Sequence, residues 1–244
     1  MKQIVPSDLA INILGFSAKI DSNSIESLVT TISSEERQRA ELFRSKLDQA
    51  MFICSRSVLR RIFSIQLGFS PQNVPIVINE FGKPCLQGEN CKIEFSISHS
   101  SGSVLIAFTF GRKLGVDLEE ISSEICNVDR AFFAGNELKI LESEKQGQRE
   151  MMFCKGWTMK EALLKAMGVG MLYPPSSVSI SDVLLKKTGV FYMVADPRNE
   201  SRWLVQSLGL YHDVFMAAIA CEENGDSPAV TLTEVNPVTL ERIA

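Results

Sequence analysis

Histidine is scarce in this chain: 244 residues hold only two, His99 and His212. The six cysteines form no CxxC pair, and neither histidine stands at zinc-site spacing from them, so a structural zinc module is not expected. No GxSxG elbow accompanies the histidines, which leaves a serine hydrolase without its usual signature. A P-loop is missing as well, because the one Gly-Lys pair, Gly82-Lys83, is followed by Pro84 rather than Ser or Thr. There is no basic excess: Lys plus Arg is 25 against Asp plus Glu 29, a formal charge of −4. Nucleic acid usually leaves a basic footprint, so it is not expected as a partner. No apolar run reaches membrane-spanning length, and Asp8 interrupts the apolar start, so neither a membrane anchor nor a secretory signal is read. These absences point to a cytoplasmic protein with reduced thiols.

What remains is an ordinary globular composition, 45% hydrophobic and 22% charged, long enough for one large domain or two small ones. Residues 9 to 16 read as a strand. Ser33 and Glu36 stand at capping-box spacing and open a short helix. A longer helix is expected from Asp48 to near Gly68. Strands follow at 93 to 98, 104 to 110 and 114 to 118. Helices are expected at 128 to 133, 137 to 142 and 149 to 167, the last ended by Gly168 and Gly170. Further strands are expected at 177 to 181, 190 to 195, 202 to 208 and 214 to 221. The order strand, helices, strands occurs twice. It implies two α+β halves, residues 1 to 112 and 113 to 222, with 223 to 244 as a C-terminal extension.

Four short blocks could carry chemistry. In Gly115-Val116-Asp117-Leu118-Glu119, strand alternation puts Asp117 and Glu119 on one face and Val116 and Leu118 on the other. Two adjacent carboxylates are tolerable if solvated, if one is protonated, or if a cation lies between them. A solvated strand face is the commoner outcome for such a motif alone. In Trp157-Thr158-Met159-Lys160-Glu161-Ala162-Leu163-Leu164-Lys165, helical spacing aligns Trp157, Glu161 and Lys165, and an exposed Glu–Lys pair would be the ordinary explanation. Phe95-Ser96-Ile97-Ser98-His99-Ser100 places His99 just past an apolar strand, where a structural hydrogen bond is the commoner role. Glu80-Phe81-Gly82-Lys83-Pro84 is either a plain turn or a rigid mount presenting Lys83 to phosphate.

Taken together and in this order, GKP, SISHS, GVDLE and WTMKEALLK resemble the 4′-phosphopantetheinyl transferases of the surfactin-synthetase-activating (Sfp) type. The resemblance is strong over about residues 75 to 175. It implies an α+β fold of two similar halves with pseudo-twofold symmetry, active as a monomer. It implies transfer of the phosphopantetheine arm of coenzyme A, the co-substrate, to a serine of an acyl or peptidyl carrier protein. It implies Mg²⁺, or Mn²⁺, on Asp117, Glu119 and Glu161, with Asp117, Glu161 and Lys165 as the catalytic residues. Coenzyme A would meet Lys83, Pro84, Ser98, His99, Lys160 and Lys165. The base for the serine is left between Glu161 and a metal-bound water. No motif sets the register of the 3′-phosphate clamp; Arg37, Arg39, Arg44, Arg56 and Arg60 are the candidates, with Arg39, Arg44 and Arg56 assigned to coenzyme A. Two rivals use the same residues: a metal-dependent phosphohydrolase acting on a nucleotide, and a non-catalytic coenzyme A-binding module.

Overall fold

The computed structural model describes residues 10–88, 92–122, 130–145, 147–170 and 173–243. The first half opens with β1 (Ala10–Ser17), followed by α1 (Ser22–Val29), α2 (Ser34–Glu41) and the long α3 (Lys46–Leu67). Ser33 closes the expected capping box with Glu36, and Gly68 ends α3 in the left-handed conformation that suits glycine. A small hairpin of β2 (Ile76–Ile78) and β3 (Pro84–Leu86) leads into β4 (Ile93–Ser100) and β5 (Ser103–Phe110). The second half repeats the plan with β6 (Leu114–Glu120), α4 (Gly135–Ser143), α5 (Gln148–Met167), the short α6 (Ser181–Leu184), β7 (Tyr192–Ala195), β8 (Arg202–Tyr211) and β9 (Phe215–Glu222). A last strand, β10 (Ala229–Glu234), comes after it.

Each half forms a four-stranded sheet, ordered β10-β1-β5-β4 and β6-β9-β8-β7. The duplication is visible in the pairing. Within each half, the strand before the long helix pairs antiparallel with the last strand of the hairpin after it: β1 with β5, and β6 with β9. Three apolar layers hold the halves. Helices α1 to α3 cover one sheet through Phe16, Phe63, Phe95 and Phe108. Helices α4 to α6 cover the other through Met159, Leu163, Val205 and Ala218. Between the sheets lie Ile11, Ile13, Leu105, Val116, Leu118 and Ile219, all fully buried. Alternation along β6 therefore sends Val116 and Leu118 between the sheets and Gly115, Asp117 and Glu119 toward α5. A Cβ at Gly115 would collide with the Ala162 carbonyl and the Ala166 backbone nitrogen, so glycine is what lets α5 cross β6 this closely.

Three expectations from the sequence are corrected by the fold. Residues 177 to 181 are not a strand. Pro175 starts a 3-10 turn, Pro175–Ser177, and α6 begins at Ser181; Val178 and Ile180 are buried at alternate positions, but among the described residues the segment joins no sheet. The helix expected at 128 to 133 is a single 3-10 turn, Arg130–Phe132, and residues 128 and 129 lie outside the described residues. Residues 223 to 244 are not an appendage: β10 pairs parallel with β1 and completes the first half's sheet. Arg61 holds the segment down by donating to the carbonyls of Pro237 (3.0 Å) and Val238 (2.8 Å). Among the described residues no helix is long and apolar enough to cross a membrane.

Candidate active site

β6 lies at the edge of its sheet, yet its backbone N–H groups do not go unpaired. Strand β4 of the other half runs beside it and offers hydroxyls at alternate positions. Ser96 Oγ accepts from Val116 N (3.1 Å), Ser98 Oγ from Leu118 N (3.2 Å) and Ser100 Oγ from Glu120 N (3.1 Å). This serine ladder joins the halves where β10 does the equivalent work for β1. It also puts the SISHS and GVDLE blocks edge to edge.

Asp117 sits at the centre of the site. Its side chain is 3% exposed, so the solvated-face explanation for the acid pair does not hold. Lys165, one turn past Glu161 on α5, places Nζ 2.6 Å from Asp117 Oδ1. The same ammonium donates to Ser98 Oγ (3.1 Å) and the Val116 carbonyl (3.3 Å). Asp117 Oδ2 is buried with no partner, and so is Glu161 Oε1. Burial, then the Asp117 charge, raises the Glu161 carboxyl above its ordinary range. The same two causes push Glu119 up to about 7, with Lys165, Ser100 and Trp157 pulling it back. Trp157, a full turn before Glu161, lies stacked on Phe132 with ring centroids 3.9 Å apart.

This electrostatic crowding has a measurable consequence. In metal-free protein near neutral pH, folded Glu119 keeps a proton that the unfolded chain, with its pKa near 4.5, has released. The folded state then binds more protons, so stability must fall as pH rises from about 4.5 to about 7. A metal-free melting temperature that declines across that window, and a flatter profile in Glu119→Gln, are the expected results. A rising wild-type profile would remove the crowding.

Beside the acids opens a cavity of about 280 Å³, walled by Phe52, Arg56, Phe81, Lys83, Pro84, His99 and Lys165 among others. His99 stands at its mouth, exposed. The cavity walls, then the Lys165 charge, hold its imidazole below the ordinary value. Arg56 lies against the Phe52 ring with Nε and Nη1 buried and unpartnered by hydrogen bonds; Glu36 Oε1 is 3.8 Å away. Arg56 also borders a second, wider cavity of about 910 Å³ that Arg39 shares.

Not every expected residue arrives. Lys160 does not face the cavity; its ammonium is bonded to Glu137 (2.8 Å) and to the carbonyls of Pro175 (2.9 Å) and Val178 (2.7 Å). All three of its protons are used inside the protein, so its role is structural, and substrate contact is withdrawn. Glu137 in turn accepts from Ala134 N and Ile180 N. Breaking such a fully buried pair strands a charge, so Lys160→Met is expected to cost about 3–5 kcal/mol of stability. Chemical denaturation measures this; a loss within error of zero would contradict the pairing. Lys83 lines the cavity, but its ammonium bridges the carbonyls of Leu114 (3.1 Å) and Lys165 (2.9 Å), so it ties the first-half turn to the second half rather than standing free for phosphate. Arg44 is exposed and borders neither cavity. Arg60, another candidate for the 3′-phosphate, is instead committed to Glu36 (2.5 Å) and to carbonyls of residues 71, 72 and 74. The ladder is not anticipated from the sequence; its signal is the alternate serines of SISHS.

Can these residues hold a cation? Among the described residues no three His, Cys, Asp or Glu side chains stand together as a ready-made metal site. The donor set still fits one: hard carboxylate oxygens, two of them buried without partners, with burial and the Asp117 charge raising the proton affinity of both glutamates.

Comparison with known families gives consistent matches in both halves. The 4′-phosphopantetheinyl transferase superfamily model matches residues 113–220, and a model for the 4′-phosphopantetheinyl transferase N-terminal region matches residues 20–110. A 4′-phosphopantetheinyl transferase, HetI, from Nostoc sp. is 33% identical over 152 residues, 61% of this chain and 64% of that protein. A Synechocystis sp. protein described as a putative 4′-phosphopantetheinyl transferase is 30% identical over 185 residues, 75% of this chain and 74% of its own length. The Sfp transferase of Bacillus subtilis is 27% identical over 155 residues, 64% of this chain and 68% of its own.

Proposed function

Since the chain belongs to the 4′-phosphopantetheinyl transferase superfamily, we propose that it moves the phosphopantetheine arm of coenzyme A onto a serine hydroxyl of an acyl or peptidyl carrier protein. Adenosine 3′,5′-bisphosphate is the other product. The observation that carries this reading is the meeting of Asp117 and Lys165 beside the cavity that His99 and Arg56 wall.

In this reading Asp117, Glu119 and Glu161 hold Mg²⁺ or Mn²⁺. The ion would neutralise charge that builds on the pyrophosphate as the phosphorus–oxygen bond breaks. The chain's own groups do the rest. His99 presents an N–H donor, and Arg56 N–H donors and positive charge, to the phosphates from the wall of a cavity also lined by Phe52 and Phe81. Lys165 holds a proton on Nζ next to the departing oxygen and either shares it or gives it up. Glu161, whose carboxyl is raised above its ordinary range by burial and the Asp117 charge, and a metal-bound water are the base candidates for the carrier serine. Arg39 and Arg56 are the candidates for the 3′-phosphate.

The finer features go with this reading: a cytoplasmic protein, active as a monomer because both halves contribute to one site, serving fatty-acid, polyketide or nonribosomal-peptide carriers. Cys54, Cys85 and Cys221 are unbridged thiols, in keeping with a reducing compartment. Family membership favours transfer over hydrolysis and over binding without turnover. The test is incubation with coenzyme A, Mg²⁺ and a panel of apo carrier proteins, read by intact mass. A carrier that gains one phosphopantetheine supports the proposal. Free phosphopantetheine without carrier gain, or binding without either product, would overturn it.

A further inference from the structure

Ser98 has its hydrogen-bonding capacity used completely, and the direction of each bond is forced. A hydroxyl has one proton to give and two lone pairs to accept with. Leu118 N–H (3.2 Å) and the Lys165 ammonium (3.1 Å) can only donate, so Ser98 accepts both. Its single proton therefore goes to Asp117 Oδ1, 2.8 Å away. Oδ1 then carries Ser98 and Lys165 together, while Oδ2 carries nothing. Ser100 repeats the arrangement more loosely: it accepts from Glu120 N (3.1 Å) and donates to Glu119 Oε2 (3.3 Å). Ser96 supports the backbone alone, accepting from Val116 N.

We propose that Ser98 is a positioning residue that selects which oxygen of Asp117 is left for a divalent cation. The inference rests on the transferase reading and deepens it. Ser98 lies next to His99 on β4, so the strand that supplies the cavity wall also orients the acid. A shift of β4 along β6 would move the cavity and turn the carboxylates in the same event. Groups that orient a ligating carboxylate typically change metal affinity or activity by about 10–100-fold when removed.

Ser96 supplies the control, because it makes the same kind of backbone rung without touching a carboxylate. The experiment titrates the full chain, without coenzyme A, with Mn²⁺ alone and reads free Mn²⁺ by electron paramagnetic resonance. Melting temperatures are recorded for the same samples. Ser98→Ala is expected to raise the Mn²⁺ dissociation constant about 10-fold or more. Ser98→Thr, which keeps the hydroxyl, should recover most of that loss. Ser96→Ala should lower the melting temperature much as Ser98→Ala does and leave Mn²⁺ affinity at the wild-type value. Wild-type Mn²⁺ affinity in Ser98→Ala, or an equal loss in Ser96→Ala, would overturn the positioning role while leaving the transferase reading intact. A wild-type chain that binds no Mn²⁺ at all would overturn this inference together with the metal assignment, and the carrier assay would then judge transfer separately.

Discussion

Asp117→Ala is expected to lower divalent-dependent transfer by at least about 10²–10³-fold, with little change in folding stability. Two opposite terms make the fold tolerant. The substitution breaks the 2.6 Å contact with Lys165 and frees the Ser98 hydroxyl. It also removes the charge that raises both Glu119 and Glu161. The Lys165 side chain is 29% exposed, so its ammonium can take water in place of the lost carboxylate. Activity has no such compensation, because the charge that develops in the transition state needs its cation held in place. Asp117→Asn separates charge from shape: it keeps an oxygen for Ser98 and loses the negative charge. Carrier modification rates across Mg²⁺ concentrations, with circular dichroism as the folding control, decide the matter. Near-normal transfer by the Asn variant would detach Asp117 from catalysis.

How much of this is legible in the sequence differs from residue to residue, and the differences have physical causes. The acid face is legible because strand alternation is local: once β6 is a strand, Asp117 and Glu119 must share a side. The alignment of Glu161 and Lys165 is legible for the same reason on a helix. Lys160 misleads because its fate is decided at a distance, by Glu137 on α4 and the carbonyls of residues 175 and 178. Nothing near residue 160 announces that partner. β10 reads as a tail because its pairing partner, β1, lies at the other end of the chain. The serine ladder stands in plain view as alternate hydroxyls. A hydroxyl that caps a neighbouring strand looks the same, in one dimension, as a hydroxyl facing water. The arginines show the converse: Arg56 and Arg60 share a helix face, yet Glu36 and three carbonyls engage Nε and Nη1 of Arg60, while Nε and Nη1 of Arg56 are left without hydrogen bonds.

Lys165→Met is expected to push two constants in opposite directions. Turnover should fall by about 10²-fold or more, as when a preorganised donor to a developing charge is removed. Affinity for Mg²⁺ should rise, so that the concentration needed for half-maximal rate drops. In the resting site the Lys165 ammonium is the counter-charge of Asp117, and it weakens the hold of the carboxylates on any further cation. Its removal leaves Asp117, Glu119 and Glu161 with their repulsion less relieved, since Lys165 is the positive group that lowers the proton affinity of both glutamates. A divalent ion is the natural relief, and it binds more tightly to the more negative site. A purely structural lysine would behave differently: its loss would weaken Mg²⁺ binding and turnover together as the site loosened. Steady-state rates measured over a Mg²⁺ series at saturating coenzyme A and carrier separate the two cases. A fall in turnover accompanied by a higher Mg²⁺ requirement would mean that Lys165 props the site up rather than acting in it.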